Sequence, residues 1–136
     1  MSISISAVHV IVDDPDAAVG FYRDVLGMTV TSEVENEGYR WVTLSPESQP
    51  DIQIVLSHPR AGRSEQDGEA VAALLAKGEL GSVNLRASDL EDVFDRAAAH
   101  DGVEIVQEPT EQFWGVRDIA LRDPAGNLVR IEQSAG

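Results

Sequence analysis

The sequence predicts an α+β domain built from two paired βαβββ modules, one in each half of the chain, forming a curved sheet around a cleft. Three observations predict it. The order strand, helix, three strands can be read twice along 136 residues. The strand-to-helix passage His9–Pro15 aligns without a gap with Asn84–Leu90, an offset of 75 (84 − 9). The chain closes on two apolar runs around Asp123-Pro124-Ala125-Gly126-Asn127. In that turn Pro fixes φ, and Gly and Asn tolerate left-handed backbone, so the runs make a hairpin. Such a repeat bears on the whole fold, because each half alone is a sheet with one covered face, and stacked units must share a core.

In the first half, Ile3 to Val12 reads as a strand with Ile5, Val8, Val10 and Val12 apolar. Asp14 is a good N-cap, Pro15 suits the first helical position, and Asp16 favours the positive end of the dipole. Ala18, Phe21, Tyr22 and Val25 recur at helical spacing, and Gly27 stands where a left-handed C-terminal cap belongs. Met28–Val34, Tyr39–Leu44 and Ile52–Leu56 follow as strands. His58 to Asp67 is a polar connector, and Glu69–Lys77 a helix closed by Gly78. In the second half Ser82–Ala87 is a strand. Ser88 is expected to cap the next helix, with Glu91 in capping-box position. Leu90, Val93, Phe94 and Ala97 form that helix's apolar stripe. Val103–Gln107 and the closing hairpin supply three more strands. The chain is thus read as one domain over 1–136: module one about 1–57, a linker with its helix about 58–80, and module two about 81–136.

Composition excludes several function classes. A formal net charge of −14 opposes binding to nucleic acid phosphates, and such a surface draws cationic small molecules toward a cleft. No apolar run reaches the roughly 18 residues of a membrane span. The opening MSISISAVHV lacks the basic start and cleavage site of a signal peptide, so we expect a cytoplasmic protein. With no Cys, disulfides, thiolate ligands and Cys nucleophiles are ruled out. No GxSxG, GxGxxG or P-loop pattern occurs.

With His9-Val10-Ile11-Val12-Asp13-Asp14-Pro15, Phe21-Tyr22-Arg23-Asp24-Val25-Leu26-Gly27 and Asp123-Pro124-Ala125-Gly126-Asn127 in view, the chain resembles the vicinal oxygen chelate superfamily of glyoxalases, bleomycin resistance proteins and extradiol dioxygenases. The resemblance covers essentially the whole chain. It implies paired modules and commonly a homodimer, but not one function. Phe113-Trp114-Gly115-Val116-Arg117-Asp118 running into the Asp123 turn resembles most the bleomycin-resistance branch, which implies an acidic dimer that sequesters a cationic antibiotic unaltered.

The resemblance also implies where a metal would sit in metal-dependent relatives: the first and last strand of each module. His9 occupies the first position and is a sound ligand through a neutral imidazole nitrogen. Asn84 occupies the matching position in the second half. Gln53, in Asp51–Leu56, is a weak donor. Where Glu is expected after Leu-Val in GNLVxI, this chain has Arg130, whose guanidinium stays protonated and repels a cation. Catalytic zinc typically takes three protein ligands and an open position, so no metal or other cofactor is expected. The alternative is a divalent metal ion on His9 and Gln53.

Strand alternation puts Tyr39, Trp41 and Thr43 on one face and Arg40, Val42 and Leu44 on the other. Val42 and Leu44 suit the helix-covered core, which leaves Tyr39 and Trp41 for a cleft. Trp114 beside Gly115 is a second candidate for stacking on a flat or cationic ligand. For each aromatic the competing role is ordinary packing. The candidate ligand-binding set is His9, Tyr39, Trp41, Gln53, Asn84, Trp114, Arg117 and Arg130. Arg130 should share a strand face with Leu128 and Glu132 and meet a carboxylate, a carbonyl or the ligand, with Gln53, Asp51, Asp118 and Glu132 as neighbours on offer.

Three functions fit. The first is metal-independent sequestration of a small, antibiotic-like molecule by a homodimer. Arg130 argues against a simple cation trap and for an aromatic ligand with mixed polar groups. The second is a glyoxalase-like lyase or isomerase, or a dioxygenase, with a degenerate metal site around His9. The third is a metal-free enzyme with His9 as general base, work for which imidazole side chains are suited near neutral pH; no other catalytic residue can be named.

Overall fold

The computed structural model describes residues 2–134. Strands β1 (Ala7–Ile11), β2 (Thr29–Asn36), β3 (Tyr39–Ser45) and β4 (Gln53–Ser57) form one sheet in the order β1-β4-β3-β2. Strands β5 (Ser82–Ala87), β6 (Glu104–Glu111), β7 (Arg117–Arg122) and β8 (Leu128–Gln133) form a second, β5-β8-β7-β6. In each sheet the first and last strands of the module pair in parallel and the others antiparallel. The expected repeat is present strand for strand. Each module makes its own four-stranded mixed sheet, with β1 and β5 left as edges.

The first helix begins as expected. Asp14 Oδ1 accepts from the N–H groups of Asp16 (3.1 Å) and Ala17 (3.3 Å), and Pro15 opens α1 (Pro15–Val19). The helix then widens into a π-type turn, Gly20–Val25, where Leu26 N–H reaches back to the Phe21 carbonyl and Gly27 closes the end at φ +74°. The wider turn keeps Phe21, Tyr22 and Val25 all buried.

The cap of α3 (Leu90–Ala99) corrects the reading of Ser88. Asp89 is the cap, its Oδ1 accepting from Asp92 N–H at 3.2 Å, and the helix starts one residue later than expected. The offset between modules sets Asp89 opposite Asp14, so both helices start on the same chemistry. The Ser88 carbonyl instead accepts from Gln133 Nε2 at 2.7 Å, tying the helix entry to the end of β8. Helix α2 (Glu65–Ala76) begins four residues before expectation, capped by Ser64. Its first turn is polar, so apolar spacing gives no sign of it. Strand β6 runs past Gln107 to Glu111, carrying Pro109 on an edge strand, where a missing N–H is tolerated.

One core joins the halves. Val10, Val42, Leu44, Ile54 and Leu56 of the first sheet, Phe21, Tyr22 and Val25, and Leu90, Ala97, Ile119, Leu121, Val129 and Ile131 of the second module all belong to it. Full burial of such side chains contributes about 1.5–3 kcal/mol each. Arg40 lies on the core side of β3 at its rim, where it bridges Asp16 of α1 (2.9 Å) and Glu33 of β2 and pins helix to sheet.

The polar lock between modules is built from the two motifs that announce the repeat. Tyr22 Oη donates to Asp123 Oδ2 at 2.9 Å. Asp123 Oδ1 accepts from the N–H groups of Ala125 (3.0 Å) and Asn127 (2.9 Å). Asn127 Nδ2 donates both to Asp123 Oδ2 (3.1 Å) and to the Ile11 carbonyl (2.8 Å). Burial pushes the Tyr22 phenol far above its ordinary pKa, and the Asp123 charge adds to the rise, so the hydroxyl remains a donor. A buried carboxylate met on both oxygens is tolerated where an unpaired one would be costly.

Candidate functional site

Alternation leaves each sheet one face turned from the core. On the first sheet Val42, Leu44, Ile54 and Leu56 point inward, so Trp41, Thr43, Gln53 and Val55 lie on the other face, with His9 beside Val55 in the register. On the second sheet Ile119, Leu121, Val129 and Ile131 point inward, so Asp118, Ala120, Leu128, Arg130 and Glu132 lie outward. Arg130 shares its face with Leu128 and Glu132, as expected.

A broad open cleft of about 1210 Å³ runs along the β5 edge and onto the outward face of the second sheet. Its walls are the end of the first helix (Val25–Met28), the β3–β4 loop (Pro46–Gln49), β5, the start of α3, and Trp114 with Asp118, Arg130 and Glu132. Trp114 sits on the β6–β7 turn, which closes through Gly115 N–H to the Gln112 carbonyl (2.9 Å), with Gly115 at φ +88°. The residue is 55% exposed, and its ring stands edge-to-face with Phe113 at 4.8 Å. An aromatic face left in a cleft mouth is a stacking surface.

The floor carries a polar network centred on Asp118, whose side chain is only 8% exposed. Its Oδ2 accepts from Arg130 Nη1 at 3.2 Å. Its Oδ1 accepts from Gln107 Nε2 (2.8 Å) and Gln112 Nε2 (2.9 Å). Gln112 Nε2 also meets Gln107 Oε1 at 3.1 Å, and Gln107 Nε2 the Asp118 carbonyl. The carboxylate dictates both amide orientations, since a flipped amide would turn oxygen against oxygen. Beside the network Arg86 Nε donates to Glu132 Oε1 at 2.5 Å, and at the rim Arg96 pairs with Asp92. Each arginine of the cleft is thus matched by one carboxylate, and the acids Glu47 and Asp89 are additional.

The predicted site residues divide into two groups. Asn84, Trp114 and Arg130 line the cleft, and Asn84 and Arg130 are direct partners across β5 and β8. His9, Tyr39, Trp41 and Gln53 belong to the first sheet and do not line it. Tyr39 stacks on His58 (4.8 Å between ring centres). Burial and the Arg60 charge push the His58 imidazole below its ordinary pKa, and its Nδ1 accepts from Arg60 N–H. Arg117 pairs with Glu91 of α3 (Nε to Oε1 3.0 Å) and also stands outside the cleft lining.

The positions that the resemblance associates with a metal hold one imidazole, two primary amides and an ion-paired guanidinium. One cleft holds Asn84 and Arg130 but neither His9 nor Gln53. Among the described residues no group of three or more His, Asp or Glu is placed to hold a metal ion. This donor set does not fit a divalent cation.

Sequence reasoning missed Gln107, Gln112, Arg86 and the two walls given by Val25–Met28 and Pro46–Gln49. The glutamines could have been found only with the β6–β7 register, whose shifts around Gln107 are not legible locally. No helix is long and apolar enough to cross a membrane among the described residues.

The sequence model of the Glyoxalase/Bleomycin resistance protein/Dioxygenase superfamily matches residues 4–131. Protein YurT of Bacillus subtilis (strain 168) is 30% identical over 129 residues, 91% of this chain and 94% of that protein. The crystal structure of UcmS2 superposes with a TM-score of 0.84 at 28% identity, covering 98% of this chain and 100% of that one. TnmS3, an antibiotic binding protein from Streptomyces sp. CB03234, gives 0.73 at 24% identity over 99% of both chains.

Proposed function

The chain belongs to the glyoxalase/bleomycin resistance protein/dioxygenase superfamily, and within it we propose that this protein binds and sequesters a small, flat, polar molecule without a metal and without altering it. The observation that carries the reading is the Arg130–Asp118 pair on the cleft floor, in the place where metal-dependent relatives are expected to have a carboxylate. A guanidinium there binds oxygen acceptors directly and repels the cation that superfamily chemistry would require. Trp114 supplies a stacking face in the same cleft. The similarity of an antibiotic binding protein supports an antibiotic-like ligand, and the bleomycin-resistance side of the superfamily fits best.

The working unit in this reading is a homodimer. The outward face of the first sheet carries Trp41, Val34 and Val55 with His9 and Gln53, and the helix of its own module packs on the opposite, core face. The outward face of the second sheet carries the cleft floor with Asp118 and Arg130. A second copy would bring one such face over the other, so that His9, Tyr39, Trp41 and Gln53 of one protomer complete the cleft of its partner. Ligand sites formed at module interfaces are common for the same reason: side chains from two units converge there.

The test is a thermal-shift screen of flat aromatic compounds, with each hit recovered and assayed by chromatography. Binding to the native state alone raises the transition temperature. Hits should be recovered unchanged and should shift the protein equally in the presence of a chelator. Turnover of a hit, or a shift abolished by the chelator, would contradict the reading.

A further inference from the structure

We infer that Arg130 selects and orients the ligand by its acceptor end: the molecule presents a carboxylate, or two adjacent carbonyl or hydroxyl oxygens, to the guanidinium while its ring lies against Trp114. The inference rests on the small-molecule reading above and adds the chemical class.

The geometry separates the two sides of the guanidinium. Nη1 is spent on Asp118. Nε and Nη2 have no partner among the described residues, and the side chain is 41% exposed at the cleft floor. Nε and one Nη2 proton form a parallel donor pair, the fork that matches two oxygens side by side. Asp118 cannot swing away to take more of the guanidinium, because Gln107 and Gln112 hold its other oxygen. Arg130 is therefore clamped on one side and presented on the other. On the same strand face, Oε1 of Glu132 is occupied by Arg86.

This local arrangement opposes the global field. A chain of formal charge −14 favours cationic ligands at long range. At about 0.15 M salt that field is screened beyond roughly 8 Å, and a direct contact with Arg130 dominates. The two effects rank ligands oppositely.

The experiment is titration calorimetry at neutral pH and about 0.15 M salt with three naphthalenes of one shape: 2-naphthoate, 2-naphthamide and 2-naphthylmethylammonium. The intact protein should bind the carboxylate at least about tenfold more tightly than the ammonium compound, a difference of about 1.4 kcal/mol, with the amide between. Arg130→Gln should abolish that preference or reverse it. Arg130→Lys, which keeps the charge without the fork, should retain only part of it, and Arg23→Gln, the same charge change outside the cleft lining, should leave the order unchanged. Tighter binding of the ammonium compound by the intact protein, or an order unaffected in Arg130→Gln, overturns the inference and leaves the binding reading standing. Failure of all three to bind overturns both.

Discussion

Tyr22 and Asp123 stand 101 positions apart in the chain and share one buried hydrogen bond, hydroxyl to carboxylate, at 2.9 Å. The contact joins the helix of the first module to the closing hairpin of the second. Asn127 extends it to the Ile11 carbonyl at the end of β1. The helix motif and the turn motif are therefore two halves of one structural device. Tyr22→Phe should remove it with little change in packing and cost about 1.5–3 kcal/mol, the range for a hydrogen bond to a charged group. Urea denaturation measures that cost; a loss below a few tenths would contradict the lock.

The same residue predicts an alkaline limb. The folded state holds the Tyr22 phenol far above its ordinary value of 10.0, through burial first and the Asp123 charge second. A raised folded pKa gives stability that is complete below the unfolded value and is lost as pH rises through and beyond it. Stability should fall more steeply above about pH 10 in the native protein than in Tyr22→Phe. Parallel alkaline curves would contradict the assignment.

Two neighbouring substitutions decide the start of α3. Asp89→Ala should cost about 1 kcal/mol, the usual loss of an N-cap. Ser88→Ala should cost almost nothing, because Ser88 contributes its carbonyl rather than its side chain. Equal costs, or the reverse order, in thermal unfolding would restore Ser88 as the cap.

The cleft network should respond unevenly. Asp118→Ala strips the shared acceptor from Gln107, Gln112 and Arg130 and should cost about 1–3 kcal/mol, the penalty for polar groups left unmatched. Arg130→Gln should cost less than about 1 kcal/mol, because its partly exposed ion pair is screened by solvent. A larger loss for Arg130→Gln than for Asp118→Ala would show that the pair serves stability rather than binding.

Sedimentation velocity tests the proposed homodimer. A dimer is expected at micromolar concentration, and Trp41→Glu should weaken it by placing an unpaired charge on the face that the partner covers. A monomer for the intact protein would contradict the shared cleft.

Much of the fold was legible because its signals are local and doubled. Asp14-Pro15, Gly27 and the Asp123–Asn127 turn each dictate their own backbone, and the repeat confirms one module against the other. Ser88 was misread because Ser and Asp at adjacent positions are both good caps; the inter-module offset, which pairs Asp89 with Asp14, was the better guide. In the site, Arg130 was legible through its place in the Gly126–Ile131 pattern, and Asp118 among four neighbours on offer. Register decides among them: Ala120 faces Arg130 and Asp118 faces Glu132, so Asp118 lies diagonally on the Arg130 face. Gln107 and Gln112 were not legible, because register shifts around Gln107 and the β6–β7 turn that holds Gln112 set their directions. The walls from Met28 and Pro46–Gln49 come from the packing of one module on the other, which no local pattern encodes.

The most direct measurement is a two-dimensional ¹H–¹⁵N spectrum of the protein titrated with 2-naphthoate, following the two indole N–H signals. Only two tryptophans occur, Trp41 and Trp114, so each signal reports one sheet. Binding in the cleft predicts a saturable shift of the Trp114 indole together with the Arg130 Nε–H resonance, and a shift of Trp41 as well if the partner's first sheet completes the site. Saturable binding that leaves both the Trp114 and Arg130 signals unmoved would contradict the account.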